Sequence, residues 1–321
     1  IPGGYLKREG RPSENAVLIG RSIDRALRPL FPDGLRNEVV ISNLVLSVDQ
    51  DNSPQVASFI GSSAALMISD IPWKGPLAGV QAGIVDGEII VNPNSEQSQA
   101  SDLDLFVAGS ADKVCMIEAG ANEVSEEDMM SAIIAGHKEI TAVCHLLQQM
   151  QDEVGKEKFG IEVTSAPTEV FEAANAFLWD KMRTAVLSKN KAERDENLAK
   201  LREELNEHLT GINEEWETWT SEVLDMVEKA VVRDYLFNEK KRVDGRALDE
   251  IRPLSSAVDV LPRVHGSGVF QRGQTQVLTV TTLGTLSDSQ RLDGITEQER
   301  KRYIHHYNFP AYSVGEARSA R

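Results

Sequence analysis

Two carboxylates in the first half of the chain have a spacing that suits metal binding. Asp102 and Asp104 flank Leu103, so on a strand both carboxylates would lie on the same face. A pair of this kind can bind a divalent cation. The same pattern also fits a solvated strand edge, and the residues alone favour that simpler interpretation.

The chain opens on a basic segment. Residues 1–36 hold seven lysines and arginines against four acids, although the whole chain has a formal net charge of -16. Overall acidity repels phosphates over most of the surface, so a polyanion would need this local basic patch. Arg21, Arg25 and Arg28 have the i, i+4, i+7 spacing that places side chains on one face of a helix. A solvated face with an ion pair to Asp24 is the simpler interpretation of these arginines.

Other candidate residues favour structural roles. The sequence has no GxGxxG after a strand, no Walker motif, no HExxH, no CxxC and no Gly-x-Ser-x-Gly. The run Gly-Ser-Ser at residues 61–63 fits close packing of a helix on a sheet better than a nucleophile. His208 has no second ligand at i±4 and is predicted to be exposed on a helix. His305 and His306 would point to opposite faces of a strand, which weakens a metal or general-acid role.

Composition indicates a globular protein. A chain of 321 residues with 41% hydrophobic residues is long enough for two domains, or for one large domain with an insertion. The two cysteines, Cys115 and Cys144, are expected to be reduced thiols of an intracellular, cytoplasmic protein. No apolar stretch approaches the roughly 18 residues of a membrane span, so no membrane partner is expected. The start at Ile1 indicates processing or a fragment.

The periodicity of residues 1–150 predicts an α+β domain. The predicted elements are a helix over Glu14–Leu27 capped by Ser13, a strand in "EVVISNLVLSVD", a helix over residues 56–69, a hairpin around Asp86-Gly87, strands at "LDLFVAG" and "KVCMIEAG", and a helix beginning at Ser125. The first of these strands is predicted because Leu44, Leu46 and Val48 alternate with polar residues. The hairpin rests on the strong turn preference of Asp-Gly.

The remainder of the chain changes character twice. Residues 166–236 show helical spacing of leucine and valine, which predicts a helical module within a domain assigned to residues 151–236. Residues 237–321 return to a β pattern, with two strands joined near Gly273 and a third strand in "HHYNFPAYSVGE". A sheet this short cannot bury its apolar face on its own.

Several stretches, in the same order along the chain, resemble the polynucleotide phosphorylase family. They are "REGRPSE", "IDRALRPLFP", "ASFIGSSAALMISDIPWKGP", "DLDLFVAG", "KRVDGR", "VLPRVHGSGVFQRGQTQVLTVTTLGT" and "HYNFPAYSVGE". The resemblance implies an α+β fold in which RNase PH-like copies (ribosomal protein S5 domain 2-like) flank an all-α helical domain. It assigns residues 1–150 to the first copy, without its first strands, and residues 237–321 to the start of the second copy.

The resemblance also implies an activity and its partners. Members of the family degrade single-stranded RNA from its 3′ end by phosphorolysis, which supports mRNA turnover. Inorganic phosphate is the second substrate, Mg²⁺ or Mn²⁺ is the metal, and the products are nucleoside diphosphates. Three subunits form a ring, so the full-length protein is expected to be a homotrimer and to have possible partners in an RNA-degradation complex.

Site residues carry over from the family at a few positions. The segment "YLKREGR" matches a loop at the ring aperture, where Lys7, Arg8 and Arg11 would contact RNA phosphates and Tyr5 would stack on a base. The family has a second aromatic residue at the position of Leu6, so part of the stacking role is in doubt.

The catalytic centre of the family falls largely outside these residues. Its phosphate-binding serines, metal-binding aspartates and histidine are expected beyond Arg321, in the second copy. In the first copy, Pro54 and Gln55 replace serines, whereas Asp102 and Asp104 match the Asp-x-Asp of the metal site. The chain alone is therefore expected to be inactive. The alternatives are a noncatalytic RNA-binding or ring-scaffolding protein, and an adaptor built on the helical module.

Overall fold

A computed structural model describes residues 12–49, 51–161, 165–188, 191–292, 294–295 and 299–319. Contacts divide the chain into two compact units. One unit comprises Ile1–Val163 and Gly284–Arg321, and the other comprises Thr164–Leu283. No helix in the described ranges combines the length and the apolar character needed to cross a membrane. The predicted boundaries at residues 150 and 236 stay predictions.

The first unit is built on a four-stranded antiparallel sheet. Its strands are β1 (Ala78–Val85), β2 (Glu88–Val91), β3 (Leu103–Gly109) and β4 (Val114–Ala121), in the order β2-β1-β3-β4. The predicted hairpin is confirmed, because Asp86 (φ 51°) and Gly87 (φ 82°) join β1 to β2. Positive φ at both central residues matches the twist of the flanking strands.

The described residues of the first unit form four α-helices: α1 (Glu14–Leu27), α2 (Pro54–Ile68), α3 (Ser95–Ala100) and α4 (Glu126–Val154). The predicted N-caps are confirmed. The Ser13 hydroxyl accepts a hydrogen bond from the Ala16 N–H at 3.2 Å, and the Ser125 hydroxyl accepts one from the Asp128 N–H at 3.1 Å. The short helix α3 was not foreseen from the sequence.

The core of this unit lies on both faces of the sheet. Helices α1 and α2 cover one face, where Leu27, Phe59 and Phe106 are buried. Helix α4 covers the other face, where Leu105 and Ile140 are buried. Adjacent residues of β3 therefore enter different cores, as the alternation of side chains along a strand requires.

One predicted strand is wrong. The stretch "EVVISNLVLSVD" lies in neither helix nor strand at residues 38–49, and Leu44 and Leu46 are 81% and 92% exposed. A strand needs a hydrogen-bonded neighbour, and no described strand pairs with this segment. It is held instead by the Asn43 amide, which donates to the Ser62 hydroxyl at 2.9 Å.

The second unit contains the predicted helices, which are confirmed as α5 (Thr168–Val186), α6 (Lys191–Ile212) and α7 (Thr220–Glu239). They share one apolar core, whose buried members include Leu178, Met182, Leu205, Leu209, Val223 and Val227. Ile212 and Met226, which follow the same spacing, are exposed. Ile212 is the last residue of α6, and thus lies where the helix leaves the core.

A three-stranded sheet also belongs to the second unit. Its strands are β5 (Leu254–Val258), β6 (Gly266–Arg272) and β7 (Thr275–Thr281), in that order and antiparallel. The predicted turn is confirmed at Gly273, which has φ +60°. Apolar side chains of this sheet stay exposed, as expected of so few strands: Leu254, Val258, Phe270, Val277, Leu278 and Val280.

The third strand predicted after these two is also wrong. Residues 305–310 have no regular structure, and Ala311–Val314 form a single 3₁₀ turn. Pro310 precedes that turn, and its ring removes a backbone donor that a strand would use. Gly315 ends the turn in the left-handed conformation, with φ 75°.

Lys158 closes the C-terminal end of α2. Its ammonium donates hydrogen bonds to the carbonyl oxygens of Leu66, Met67 and Ser69 at 2.7, 2.9 and 2.6 Å. The last carbonyls of a helix have no partners within it, and a cation there also opposes the helix dipole. Burial lowers the pKa of the Lys158 ammonium below its ordinary value. This lysine therefore ties the chain after α4 to the end of α2.

The two cysteines are free thiols in different environments. Cys115 lies exposed on β4, and Cys144 is buried on α4 against the carbonyl oxygens of Pro76 and Gly109, with its Sγ at 3.8 and 3.7 Å. Burial raises the pKa of the Cys144 thiol from 9.0 to about 11. Thiolate, the reactive form, is therefore suppressed at this position.

Lys158→Met should lower the free energy of unfolding by about 1–3 kcal/mol, because three carbonyls lose a charged donor. Urea denaturation monitored by circular dichroism measures this change. Lys156→Met is the matched control, since Lys156 is exposed and its bond to Ile68 comes from the backbone N–H, which the substitution keeps. Equal unfolding midpoints for the two variants would contradict the assigned role of Lys158.

At pH 8, a thiol reagent such as dithiobisnitrobenzoate should modify Cys115 in the folded protein and Cys144 only after unfolding in urea. Cys115→Ser should abolish the native-state reaction, and Cys144→Ser should leave it unchanged. The folded pKa of Cys144 is raised, so the stability this thiol contributes is present below pH 9.0 and lost as pH rises through about 11. Rapid modification of Cys144 in the native state would show that its burial is wrongly assigned.

Candidate nucleic-acid interface

Arg21 and Arg25 lie on α1 and Arg28 directly follows it, and two of these three arginines form ion pairs. The Arg28 guanidinium donates to both oxygens of Asp24, at 2.6 and 3.1 Å, which confirms the solvated, ion-paired interpretation for this residue. Arg25 donates to Glu118 on β4 at 2.8 Å and contacts the Met116 sulfur at 3.2 Å. Glu118 could not be found from the sequence, because 93 residues separate it from Arg25.

Arg21 is the arginine of this face that remains open to an anion. It is exposed, and no ion pair joins it to any described residue. The pairs of Arg25 and Arg28 are more than half exposed, and such surface pairs contribute about 0–1 kcal/mol. They are therefore weak enough to rearrange around a phosphate.

The predicted RNA-binding residues Tyr5, Lys7, Arg8 and Arg11 lie outside the described residues. Their roles stay predictions. The helix that follows them begins at Glu14, two residues after the described part of the chain starts.

Asp102 and Asp104 lie at the start of β3. Both are exposed, and Leu103 between them is 1% exposed, so the two carboxylates are on the same side of the strand. The Asp102 N–H donates to the Ile84 carbonyl at 3.0 Å, and the Asp102 carbonyl accepts from the Asn122 N–H at 2.9 Å. The backbone of this residue is thus fixed from both sides.

The surroundings of Asp102 and Asp104 limit the kind of ion that these two carboxylates can bind. Asp104 borders a small cavity of about 160 Å³, which is also lined by Gln81, Ala82, Pro93, Ser98 and Leu103. Within the described ranges, no three His, Cys, Asp or Glu side chains come together at a metal-binding distance. Mg²⁺ is commonly bound through one or two carboxylates, with water and phosphate completing its shell. The two aspartates fit that kind of shared site and not a cage of protein ligands.

A larger groove lies beside α1. It has a volume of about 610 Å³, and its polar lining includes Asp24, Arg28, Asn37, Glu38 and Asn43. The groove exists because the segment of residues 38–49 runs past α1 without pairing as a strand. Acidic and basic side chains both line it, so its charge does not favour a polyanion.

The remaining candidates of the sequence have structural roles. The Ser63 hydroxyl accepts from the Leu77 N–H at 3.1 Å, and the Ser62 hydroxyl donates to the Ser58 carbonyl at 2.8 Å. His208 is half-buried rather than exposed, because its ring stacks on Phe177 with centroids 4.2 Å apart. His305 and His306 belong to the irregular segment described above, and the described residues place them in no cluster of metal ligands.

Two domain models of one family match the sheets and helices of the described fold. The model described as "3' exoribonuclease family, domain 1" matches residues 3–72 and 250–321, and the model for "domain 2" matches residues 75–139. A third model, "Polyribonucleotide nucleotidyltransferase, RNA binding domain", matches residues 169–247. Together the two exoribonuclease models cover more than half of the chain. The chain therefore belongs to the 3′ exoribonuclease family.

Within this family, the chain is similar to polyribonucleotide nucleotidyltransferases. Those of Ruminiclostridium cellulolyticum and Heliobacterium modesticaldum are 53% and 49% identical to it over 321 residues. The alignments cover 100% of this chain but 46% and 45% of these relatives, so the chain spans about half of their length. The solved structure of rice (Oryza sativa) Rrp46 is 16% identical with a TM-score of 0.37, over 45% of this chain and 69% of that one.

These matches confirm the resemblance and the α+β fold class, with RNase PH-like regions on either side of a helical region. The model that matches residues 169–247 is described as an RNA binding domain, a role that the sequence analysis did not assign to these helices. The signal that could have found it is the basic run "KKR" that follows α7.

Proposed function

We propose that the protein to which this chain belongs is a phosphorolytic 3′-to-5′ exoribonuclease that acts on single-stranded RNA. One observation carries the proposal: the similarity to polyribonucleotide nucleotidyltransferases extends over all 321 residues, at 53% identity. The three family models match residues 3–72, 75–139, 169–247 and 250–321, and residues 140–168 are the longest stretch between them. A role in mRNA turnover in the cytoplasm follows from that activity.

The reaction transfers a nucleotidyl group to inorganic phosphate. A phosphate oxygen attacks the phosphorus of the terminal phosphodiester, and the bond from phosphorus to the 3′ oxygen of the preceding nucleotide breaks. That oxygen takes up a proton and stays on the shortened RNA, while a nucleoside diphosphate leaves. Such a step needs a positioned phosphate and neutralisation of the charge on the leaving oxygen.

A divalent cation, Mg²⁺ or Mn²⁺, would supply that neutralisation when bound. In this chain Asp102 and Asp104 are the residues that would hold it, together with water and phosphate. Their exposure on one side of β3 supports this assignment, and the fixed backbone of Asp102 would orient its carboxylate. Pro54 and Gln55, at the start of α2, offer no hydroxyl for the phosphate.

RNA would reach the site through the basic N-terminal segment. Lys7, Arg8 and Arg11 would contact phosphates as the strand threads, and Tyr5 would stack on a base. A homotrimeric ring would surround the strand with three such segments, and the ring would serve as a component of an RNA-degradation complex. Local positive charge on an acidic protein supports this role, because it draws RNA to one place.

The whole protein, given oligo(A) RNA, inorganic phosphate and Mg²⁺, should release ADP, because phosphate is the attacking group. Chromatography of the products separates ADP from AMP. Omission of phosphate should stop the release. Formation of AMP without phosphate would identify hydrolysis and overturn the proposal.

The 321-residue chain alone should bind RNA but release no ADP. The carboxylate pair has no third protein ligand in the described ranges, and serines for phosphate are missing at Pro54 and Gln55. A full-length polyribonucleotide nucleotidyltransferase assayed in parallel provides the positive control. Release of ADP that disappears in Asp102→Asn/Asp104→Asn would show instead that this pair is a working catalytic site.

The second candidate function is that of a noncatalytic RNA-binding or ring-scaffolding protein. The sparse ligand set around Asp104 favours it. Salt-sensitive RNA binding that weakens in Lys7→Ala/Arg8→Ala, while the whole protein shows no turnover, would establish this function in place of the first.

A further inference from the structure

We propose that one face of α7 and the turn after it form a second contact for single-stranded RNA. This face, the α7 stripe, consists of Lys229, Arg233, Phe237, Lys240 and Lys241. The proposal rests on the proposed function for its ligand, and it adds a site away from the N-terminal segment. The family model for an RNA-binding domain spans these residues without assigning any of them.

The charge of the helical region is uneven. Residues 169–247 hold 13 lysines and arginines against 18 acids, so an RNA strand would be repelled by most of this surface. Residues 229–246 hold six basic residues against three acids. Residues 181–200 hold the same balance of six to three, but Lys181, Arg183 and Lys200 there are paired with glutamates. The end of α7 is therefore the more favourable of the two places for an RNA contact.

The spacing along α7 places the stripe on one side of the helix. Lys229, Arg233 and Phe237 are at i, i+4 and i+8, and all three are exposed. At 1.5 Å per residue they extend over about 12 Å of the helix, and Lys240 and Lys241 follow at its end. The opposite face of α7 is fixed in the core through Val227 and Val231.

Three acids beside the C-terminal half of the stripe are already paired, whereas Asp225 and Glu228, near Lys229, form no ion pair with a described residue. Arg183, from α5, binds Asp234 at 3.6 Å and Glu239 at 2.8 Å. Arg246 binds Asp244 at 2.9 Å. Within the described part of the chain, no carboxylate forms an ion pair with Lys229, Arg233, Lys240 or Lys241, so these four cations are available to phosphates.

Phe237 gives the stripe an aromatic surface. Its side chain is 70% exposed, although an apolar core lies on the other side of the same helix. Binding sites for single strands combine basic side chains along the backbone with aromatic rings on which bases stack. Phe237 lies between Arg233 and the two lysines, which is the arrangement such a site requires.

The turn after α7 holds the lysines in place. Lys240 ends the helix in the left-handed conformation at φ 53°, and Lys241 forms a bridge with Ala247. The Arg242 N–H donates to the Arg246 carbonyl at 2.8 Å. An ordered turn loses less conformational entropy when it binds RNA than a flexible tail would.

A structural explanation accounts for only part of the stripe. Lysines at the C-terminal end of a helix oppose its dipole, which stabilises the helix without any ligand. That effect is confined to the last turn, so it explains neither Lys229 and Arg233 nor the exposed ring of Phe237. A nucleic-acid contact accounts for all five residues.

Fluorescence anisotropy of labelled oligo(A) RNA, titrated with the 321-residue chain at several KCl concentrations, tests the proposal. Phe237→Ala should weaken binding by about fivefold or more, from a stacking contribution of about 1–3 kcal/mol per base. Lys240→Ala/Lys241→Ala should reduce the slope of log K against log salt by about 1.4, because each phosphate contact on a single strand contributes about 0.7. Circular dichroism should show unchanged helix content in both variants.

The matched control is Lys181→Ala/Lys200→Ala, which removes the same charge from α5 and α6, where each lysine is paired with a glutamate. The control should retain wild-type affinity and salt slope. Equal behaviour of the control and the stripe variants would overturn the inference. The variant Lys7→Ala/Arg8→Ala is titrated alongside. Loss of binding in this variant alone would be consistent with the proposed function and would overturn the α7 stripe as an RNA contact. A wild-type chain that binds no RNA would overturn both the stripe and the RNA contact of the N-terminal segment, whereas the release of ADP by the whole protein is decided separately.

Discussion

Burial of the first unit's sheet on both faces is the constraint on which the rest of that unit depends. From Leu105 to Ala108 every residue of β3 is buried, with adjacent side chains in different cores. The backbone polar groups of such a strand have no access to water, so β1 and β4 must pair with it along its length. Only at its start do side chains reach solvent, which is why Asp102 and Asp104 can be presented there.

Close packing over that sheet also fixes the ends of the helices. A Cβ on Gly136 of α4 would lie 3.2 Å from the Val80 side chain, so this position keeps the helix near β1. On the other face, α2 ends where Lys158 and the Lys156 N–H satisfy its carbonyls. These contacts hold each helix at a fixed distance from the sheet. Asp102 and Asp104, at the start of β3, therefore lie on a rigid sheet.

Electrostatics separates the cations that are open to a phosphate from those that acids already neutralise. The protein is acidic, and several of its basic side chains in the described ranges are paired with carboxylates, as Arg28 is with Asp24 and Arg183 with Glu239. A polyanion can pair most readily with the basic side chains that have no carboxylate partner. Arg21 on α1 and the α7 stripe belong to that set, each on a different compact unit, and both stand on helices whose other faces are buried.

The sequence by itself determined the local elements and the family. Ser13 and Ser125 cap helices, Asp86-Gly87 sets a hairpin, and the Asp-Leu-Asp spacing places two carboxylates on one side of β3, because each depends on neighbours in the chain. Tertiary structure decided what depends on distant partners. Leu44, Leu46 and Val48 alternate as in a strand, yet no described strand pairs with them. Arg25 has Glu118 as its partner across 93 residues, and Arg183 of α5 pairs with Asp234 and Glu239 beside the α7 stripe. Pairing and neutralisation of this kind are set by the packing of whole elements, which local spacing does not encode.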